Sequence, residues 1–403
     1  MSSSRTNICM LLISCCLHQV TSFAQNCDSN YFSYEYTASD FLTLSKAVVT
    51  PDNSVVCLQT NKFYEHGLIK FTPQGNVIYA YQYTAPFTAN GYRSWTPLLF
   101  TDVCVASDSV HYLAGSVTKH GLFYDNTETP PARTAAVIAK TDKYGKVIWS
   151  RFFANATTDP LAFSNVIALR NGDVVGYLTT QVALPYYGRI ICLSTDGTIK
   201  WSVILNTGEY SSGNLAPSNK RSLIQTKNGN IVVADVVYKY NTDLTAVGAY
   251  HFFSLNPSNG SVTWESSYAY PTNSFYIPDI VSAFELPNGD LSFQSMLIDL
   301  TSKPLNIITD SKGIIKKMIA TYPLADPASL IDAKPDGSSG EQSLLMLSGG
   351  QKSILAKIDN NGNLVWSRKY GKSDAGVPPS CFEKIANGYD IFLSTFSQSF
   401  RML

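Results

Sequence analysis

The chain of 403 residues is poor in charge. Lys, Arg, Asp and Glu make up 15% of it, 30 basic residues balance 30 acidic ones, and the formal net charge is zero. A nucleic-acid partner needs a clustered positive face, so this balance argues against one. No apolar run after the N-terminus is long enough to span a bilayer, and no stretch reads as a long amphipathic helix. A glycine-rich phosphate loop, a His-Glu-x-x-His motif and a Gly-x-Ser-x-Gly elbow are all missing. The Asp/Asn-rich segments lack the terminal Glu of a calcium loop. The expectation is no cofactor and no metal. Cysteine is scarce too. Without Cys9, Cys15 and Cys16 of the N-terminal segment, five are left, namely Cys27, Cys57, Cys104, Cys192 and Cys381. An odd number excludes a complete disulfide framework, and their spacing matches no metal site. Cys57, Cys104 and Cys192 fall inside strand-like runs and read as small buried hydrophobes.

Residues 1–24 read as a secretory signal. Arg5 supplies the charge, Ile8 to Leu17 the apolar stretch, and Ser22-Phe23-Ala24 a cleavage site before Gln25. Leu12-Ile13-Ser14-Cys15 is an alternative lipid-attachment signal with acylation at Cys15. Either way the expectation is a secreted, periplasmic or cell-surface protein, with residues 25–403 as one domain.

What the chain does have is a repeat. Gly is followed at +2 by a branched aliphatic and at +4 by an aromatic in Gly75-Asn-Val77-Ile-Tyr79, Gly145-Lys-Val147-Ile-Trp149, Gly197-Thr-Ile199-Lys-Trp201, Gly260-Ser-Val262-Thr-Trp264 and Gly362-Asn-Leu364-Val-Trp366. A sixth copy, Gly313-Ile-Ile315-Lys-Lys317-Met318, slips by one after +2, as a β-bulge would make it do. Self-similarity every ~50 residues marks a repeat architecture. Small polar residues ahead of each Gly fit a tight turn. A second set of turns alternates with the first: Asn171-Gly172, Asn228-Gly229, Asn288-Gly289 and Asn387-Gly388, with Pro51 to Ser54, Ser107 to Ser109 and Pro335 to Gly337 in the matching places. Two hairpins per repeat make four strands, and four-stranded sheets repeated about an axis are propeller blades.

The spacing predicts six complete blades from about Leu42 to Gly371. A seventh hairpin lies around Asn387-Gly388, and Phe400 to Leu403 starts a further strand. Phe32-Ser33-Tyr34-Glu35-Tyr36 resembles the outer strand Trp366 to Tyr370 and would complete that last blade. The expected fold is therefore all-β: a seven-bladed β-propeller of four-stranded blades, the last closed by the N-terminal strand, which removes an open sheet edge. Cys27 and Cys381 would both lie in that blade, where a disulfide would need their Cα atoms within about 7 Å.

The repeats resemble those of the secreted seven-bladed β-propeller repeat proteins of Bacteroidota, above all in Lys357-Ile-Asp359-Asn-Asn-Gly362-Asn-Leu-Val-Trp366-Ser-Arg-Lys-Tyr370-Gly371. The resemblance implies a fold and an exported location, not a reaction. A weaker likeness is to the quinoprotein dehydrogenase repeats. Those enzymes have eight blades, and some hold their cofactor with adjacent cysteines. The adjacent pair here, Cys15-Cys16, lies in the signal.

Function in propellers sits on the loops joining second to third strands and joining one blade to the next. On that face the sequence places Tyr92, Arg93, Trp95, Tyr124, Tyr186, Tyr187, Arg189 and Tyr276. Aromatic rings offer flat faces to sugar C–H groups, and an Arg fork matches a uronate carboxylate. The expectation is a non-enzymatic scaffold binding a glycan or a cell-surface protein. The alternative is a polysaccharide lyase, which requires a His or Tyr base beside Arg, with or without a metal, in the central funnel, and His66, His120 and His251 are the histidines to place there. His111, inside Val110-His-Tyr-Leu-Ala, reads as packing, and Trp149, Trp201, Trp264 and Trp366 read as structural because they keep to the repeat.

Overall fold

A computed structural model describes residues 34–37, 42–61, 66–89, 92–118, 134–153, 161–180, 188–205, 211–212, 223–240, 246–269, 280–297, 303–320, 328–337, 340–348, 353–370, 379–385, 388–394 and 399–402. Every strand pairing among them is antiparallel. The first strand, β1 (Tyr34–Thr37), belongs to none of the six blades built next along the chain. Blade 1 is β2 (Leu42–Val49), β3 (Val55–Asn61), β4 (His66–Phe71) and β5 (Val77–Gln82). Blade 2 is preceded by β6 (Thr84–Ala89) and contains β7 (Tyr92–Val105), β8 (His111–Thr118), β9 (Thr134–Thr141) and β10 (Val147–Phe153). Blade 3 is β11 (Leu161–Ala168), β12 (Val174–Thr180), β13 (Gly188–Leu193) and β14 (Ile199–Leu205). Blade 4 begins with two short pieces, β15 (Ser211–Ser212) and β16 (Leu223–Gln225), and goes on to β17 (Ile231–Tyr240), β18 (Ala246–Leu255) and β19 (Val262–Ala269). Blade 5 is β20 (Ser282–Glu285), β21 (Leu291–Leu297), β22 (Lys303–Thr309) and β23 (Ile315–Ala320). Blade 6 is β24 (Ala328–Asp336), β25 (Glu341–Ser348), β26 (Ser353–Ile358) and β27 (Leu364–Tyr370).

These six blades use strands in chain order. A further sheet is composite: β28 (Pro379–Ile385), β29 (Gly388–Ser394) and β30 (Ser399–Met402), with β1 on β30 in the register Tyr34↔Met402 to Thr37↔Ser399. The blades are four-stranded as expected, with two additions: β6 pairs with β7 beside blade 2, and β15 and β16 both pair with β17 at the start of blade 4.

One turn recurs. In blade 3 the Leu169 N–H donates to Asp173 O at 2.8 Å and the Gly172 N–H to Leu169 O at 2.9 Å, and ten other turns repeat this pair of bonds, with one extra residue at Asn256 to Ser261. Gly172, Gly229 and Gly289 have positive φ while the Asn before each does not. The Asn-Gly pairs therefore form type I turns with a left-handed last residue, not the doubly left-handed type that Asn-Gly often marks. In blades 1 and 2, Asn53 and Ser109 take that conformation (φ 59° and 66°) without being glycine.

After each Gly of the first set the register shifts, and the unpaired residue is always at +3: Ile78, Ile148, Lys200, Thr263, Lys316 and Val365. The bulge expected of the Gly313 repeat alone belongs to all six. It turns the +4 side chain toward the next blade. A Cβ on Gly197 would lie 3.1 Å from Trp149 Cδ2, one on Gly260 2.5 Å from Trp201 Cε3, and one on Gly313 2.3 Å from Trp264 Cζ3. Each aromatic lies on the glycine of the next blade, so the repeat's Gly is needed both for its φ and for its bare surface. Trp149 and Trp201 also donate Nε1–H to Thr195 O and Pro257 O, both at 2.9 Å. In the slipped repeat Lys317 replaces the aromatic and reaches Asn361 Oδ1 of the next blade at 2.9 Å.

The core lies between blades. Val232, Val236 and Phe252 of blade 4 bury against Phe293 and Ile307 of blade 5, with Phe252 stacked on Phe293 at 4.3 Å. The composite sheet joins in on both sides: Cys381 packs with Leu44, Cys57 and Ile69 of blade 1, and Phe382 with Leu345 and Leu355 of blade 6. The first strands touch in the succession β2, β7, β11, β16, β20, β24, β28 and back to β2.

Candidate functional site

The ring has two unlike faces. Turns within the first and second hairpins of the blades emerge on one. They are short, alike and closed by their own groups. Asp142 Oδ1 accepts the N–H of Tyr144 and of Lys146, both at 2.9 Å, and Asp359 Oδ1 those of Asn361 and Asn363, both at 2.8 Å. Ion pairs tie turn to strand: Lys200 to Asp173 and Lys316 to Asp290 at 2.6 Å, and Lys70 to Asp52 at 3.0 Å. Burial would raise the Asp52 pKa, but hydrogen bonds from Thr50, Lys70 and the Ser54 N–H outweigh it and hold the carboxyl well below the usual range. Neighbouring turns bond to one another, as Arg170 does with Gln225 Oε1 and Lys227 O. The donors and acceptors of this face are largely consumed internally.

At the other end of the strands, connections join second to third strands and one blade to the next. Their sequences vary in length, from 62–65 to 119–133 and 213–222. Tyr124, Tyr186, Tyr187 and Tyr276 belong to these connections and lie outside the described residues, as do Tyr64, Phe123, Phe275 and His120. Arg189 is described: it is exposed on β13, opposite Leu178 and Ile204. Tyr92, Arg93 and Trp95 are not in a loop, contrary to the expectation from sequence. They form the first part of β7, paired with β6 in the register Ala89↔Tyr92, Thr88↔Arg93 and Pro86↔Trp95. The signal for this hairpin is Asn90-Gly91 between two runs of even length, and Pro86 and Pro97 obscure it. Tyr92, Arg93 and Trp95 thus share one arm in blade 2, and Arg189 belongs to blade 3.

The described histidines do not converge. His66 opens the third strand of blade 1 and His251 lies within the third strand of blade 4. His66 Nδ1 donates to Phe100 O of the next blade at 2.8 Å, and burial lowers its pKa. His251 stacks on Phe253 at 4.1 Å, and burial pushes its pKa down to about 4. His111 is fully buried, bonds through Nδ1 to Thr141 Oγ1 at 3.0 Å, and is likewise held at about 4, mainly by burial. No group of three His, Cys, Asp or Glu side chains among the described residues is placed to hold a metal.

No motif in the sequence announces a buried charged cluster beside the composite sheet. Lys334 of β24 holds Glu383 of β28 at 2.6 Å and Asp332 at 3.4 Å, and its ammonium lies 5.7 Å from the centre of the Phe382 ring. Lys46 of β2 faces Asp102 of β7 at 3.4 Å. Asp102 Oδ2 also accepts the Val166 N–H of blade 3 at 2.8 Å. All of these side chains are nearly excluded from solvent. At the positions matching Lys46, Asp102 and Asp332, blades 3 and 5 have the neutral Asn165 and Ser282, also buried. Cys381 is a buried thiol in the same region, its pKa raised by burial. Cys27, its suggested partner, lies outside the described residues. Cys57 and Cys192 are buried strand residues, as expected, whereas Cys104 is half-buried.

No protein-family model and no curated protein matches this chain. Among solved structures it is similar to the β-propeller domain of the Trilobed protease from Pyrococcus furiosus, with 10% identity and a TM-score of 0.47 over 88% of this chain and 92% of that one. It is similar to a prolyl endopeptidase at 11% identity and a TM-score of 0.46, over 88% of this chain and 46% of that one. It is also similar to Raptor from Chaetomium thermophilum at 11% identity and a TM-score of 0.51, over 90% of this chain and 28% of that one. The chain thus spans less than half the length of the latter two. Identity this low speaks to fold alone. The sheet topology makes that fold an all-β propeller with four-stranded blades.

Proposed function

We propose that this protein is an exported, non-enzymatic binding scaffold that takes a glycan or a protein partner on the face of its irregular connections. The observation that carries the reading is the inequality of the two faces. One is a rim of near-identical turns whose polar groups bond to each other. The other gathers the connections that differ in length from blade to blade and hold Tyr124, Tyr186, Tyr187 and Tyr276. Recognition belongs on variable segments above a rigid frame. The frame itself is a seven-bladed ring in this reading, with the composite sheet as the last blade and β1 as its outer strand. Residues 1–24 act as the export signal, cleaved after Ala24 in preference to acylation at Cys15.

A lyase is the rival. It needs a base, an Arg and a metal or second acid in one place, whereas His66 and His251 are packing residues in blades 1 and 4. Residues 25–403, titrated calorimetrically against neutral and acidic polysaccharides while ultraviolet absorbance follows unsaturated products, separate the readings. Heat without new absorbance supports the scaffold. New absorbance makes it a lyase. If no polysaccharide gives heat, the glycan version fails and a protein partner is what is left of the reading.

A further inference from the structure

The one described first strand that rises above its blade is β7. Inside blade 2 its pairing with β8 begins at Leu98↔Val117. That pair is level with Leu42↔Asn61, Leu161↔Thr180 and Ala328↔Ser348, where the first strands of blades 1, 3 and 6 begin. Residues 92–97 continue past this level and pair with β6. At ~3.3 Å per residue they extend the strand by about 20 Å. Because β7 runs down into the turn at Ala106 to Val110, its upper end projects on the irregular face. β7 is the inner strand of its blade, touching the first strands of both neighbouring blades, β2 and β11.

Among the described residues no strand pairs with the outer edge of β6, and that edge is a poor template for another strand. Pro86 sits at its middle, opposite Trp95, and a proline in a paired edge strand lacks the outward N–H that an added strand would use. Recognition by this arm therefore falls to side chains. Residues 84–97 read Thr-Ala-Pro-Phe-Thr-Ala-Asn-Gly-Tyr-Arg-Ser-Trp-Thr-Pro: three aromatics, one positive charge and no negative one. In a chain of zero net charge, that composition complements a carboxylate on a carbon-faced ring. We propose that the β6–β7 hairpin is the recognition arm of the ring and that its ligand is a uronate-bearing polysaccharide. This inference rests on the binding-scaffold reading and narrows it to one arm and one class of sugar.

The test uses residues 25–403 and polygalacturonate oligomers, with their methyl esters as the uncharged counterpart. Trp95→Ala is expected to weaken binding about tenfold or more through lost stacking. Arg93→Gln should weaken binding to the acid by about ten- to a hundredfold and abolish the preference for acid over ester. Arg93→Lys keeps the charge and should recover part of that preference. Lys312 is exposed in a turn of the uniform rim, and Lys312→Gln should change affinity less than about twofold, within ordinary surface effects. Unchanged melting temperatures separate binding losses from folding losses. If the acid binds and the hairpin variants bind it like wild type, the arm is wrong while the scaffold reading stands. Equal affinity for acid and ester overturns the charge assignment. If wild type binds neither probe but binds a neutral sugar, the inference falls and the glycan reading survives. If it binds no polysaccharide, both fall.

Discussion

At the residue scale, one glycine per repeat does two jobs that a pair of substitutions can separate. Gly260 has φ +73°, and a Cβ there would meet Trp201 at 2.5 Å. Gly229 has φ +97° and nothing within 4 Å of the same probe atom. Gly229→Ala should therefore cost only the backbone conformation, about 1 kcal/mol. Gly260→Ala should cost about 1–3 kcal/mol more, since the indole must move. Denaturant midpoints measure both. Equal losses would mean that the aromatic is not seated on the glycine. The pairing of Gly with an aromatic at +4 is plain in the sequence. Its meaning is not, because the partner of Trp149, Trp201 and Trp264 is the glycine about 50 residues on, not the one four residues before it. The same limit hides Lys334 and Glu383, which lie 49 positions apart and carry no motif.

His111 and His251 give a pH dependence whose sign is fixed. Both have folded pKa values near 4 against an ordinary 6.5. Above pH 6.5 both states hold neutral imidazole. As pH falls from 6.5 toward 4, the unfolded chain takes up protons that the folded one refuses, so stability is lost across that window. The loss is on the order of 3 kcal/mol per histidine. The His251→Leu variant should show a shallower decline over the same range than wild type. Identical slopes would mean that His251 is not buried as a neutral ring.

At the scale of the element, β28 ties the two ends of the blade series together. It places Cys381 in the core with blade 1, Phe382 in the core with blade 6, and Glu383 on Lys334. Removing one partner of a buried ion pair leaves an uncompensated charge and costs about 3–5 kcal/mol. Lys334→Ala should exceed Glu383→Gln in cost, since it strands two carboxylates, Asp332 and Glu383, where the other change leaves Lys334 still facing Asp332. Thermal unfolding of the two variants gives the order, and the reverse order would contradict the arrangement. The hairpin β6–β7 shows the opposite failing of sequence reading. Asn90-Gly91 marks a turn, but two prolines break the alternation expected of strands, and so many aromatics beside a turn look like a binding loop. Pro86 is tolerated because β6 is an edge.

At the scale of the whole molecule, the repeat sets four strands per blade and the order of the blades. It cannot show that β15 and β16 split the start of blade 4 or that β6 adds a strand beside blade 2, since neither segment carries the repeat. Deleting residues 25–37 from the chain 25–403 leaves β30 without β1 and bares its edge. That truncation should lower the melting temperature and promote association on gel filtration, whereas a monomer of unchanged stability would show that the N-terminal strand contributes nothing to the ring.

If recognition belongs to the irregular face and the uniform rim is structural, a bound ligand must leave its mark on one face alone. Hydrogen exchange on residues 25–403, with and without polygalacturonate oligomers, reads this directly. Ligand protection is expected in peptides covering the hairpin 84–97 and the connections 119–133, 181–187 and 270–279, with the turns at 50–54, 194–198 and 310–314 unchanged. Protection on those turns, with none on the hairpin or the connections, would contradict the division of the two faces.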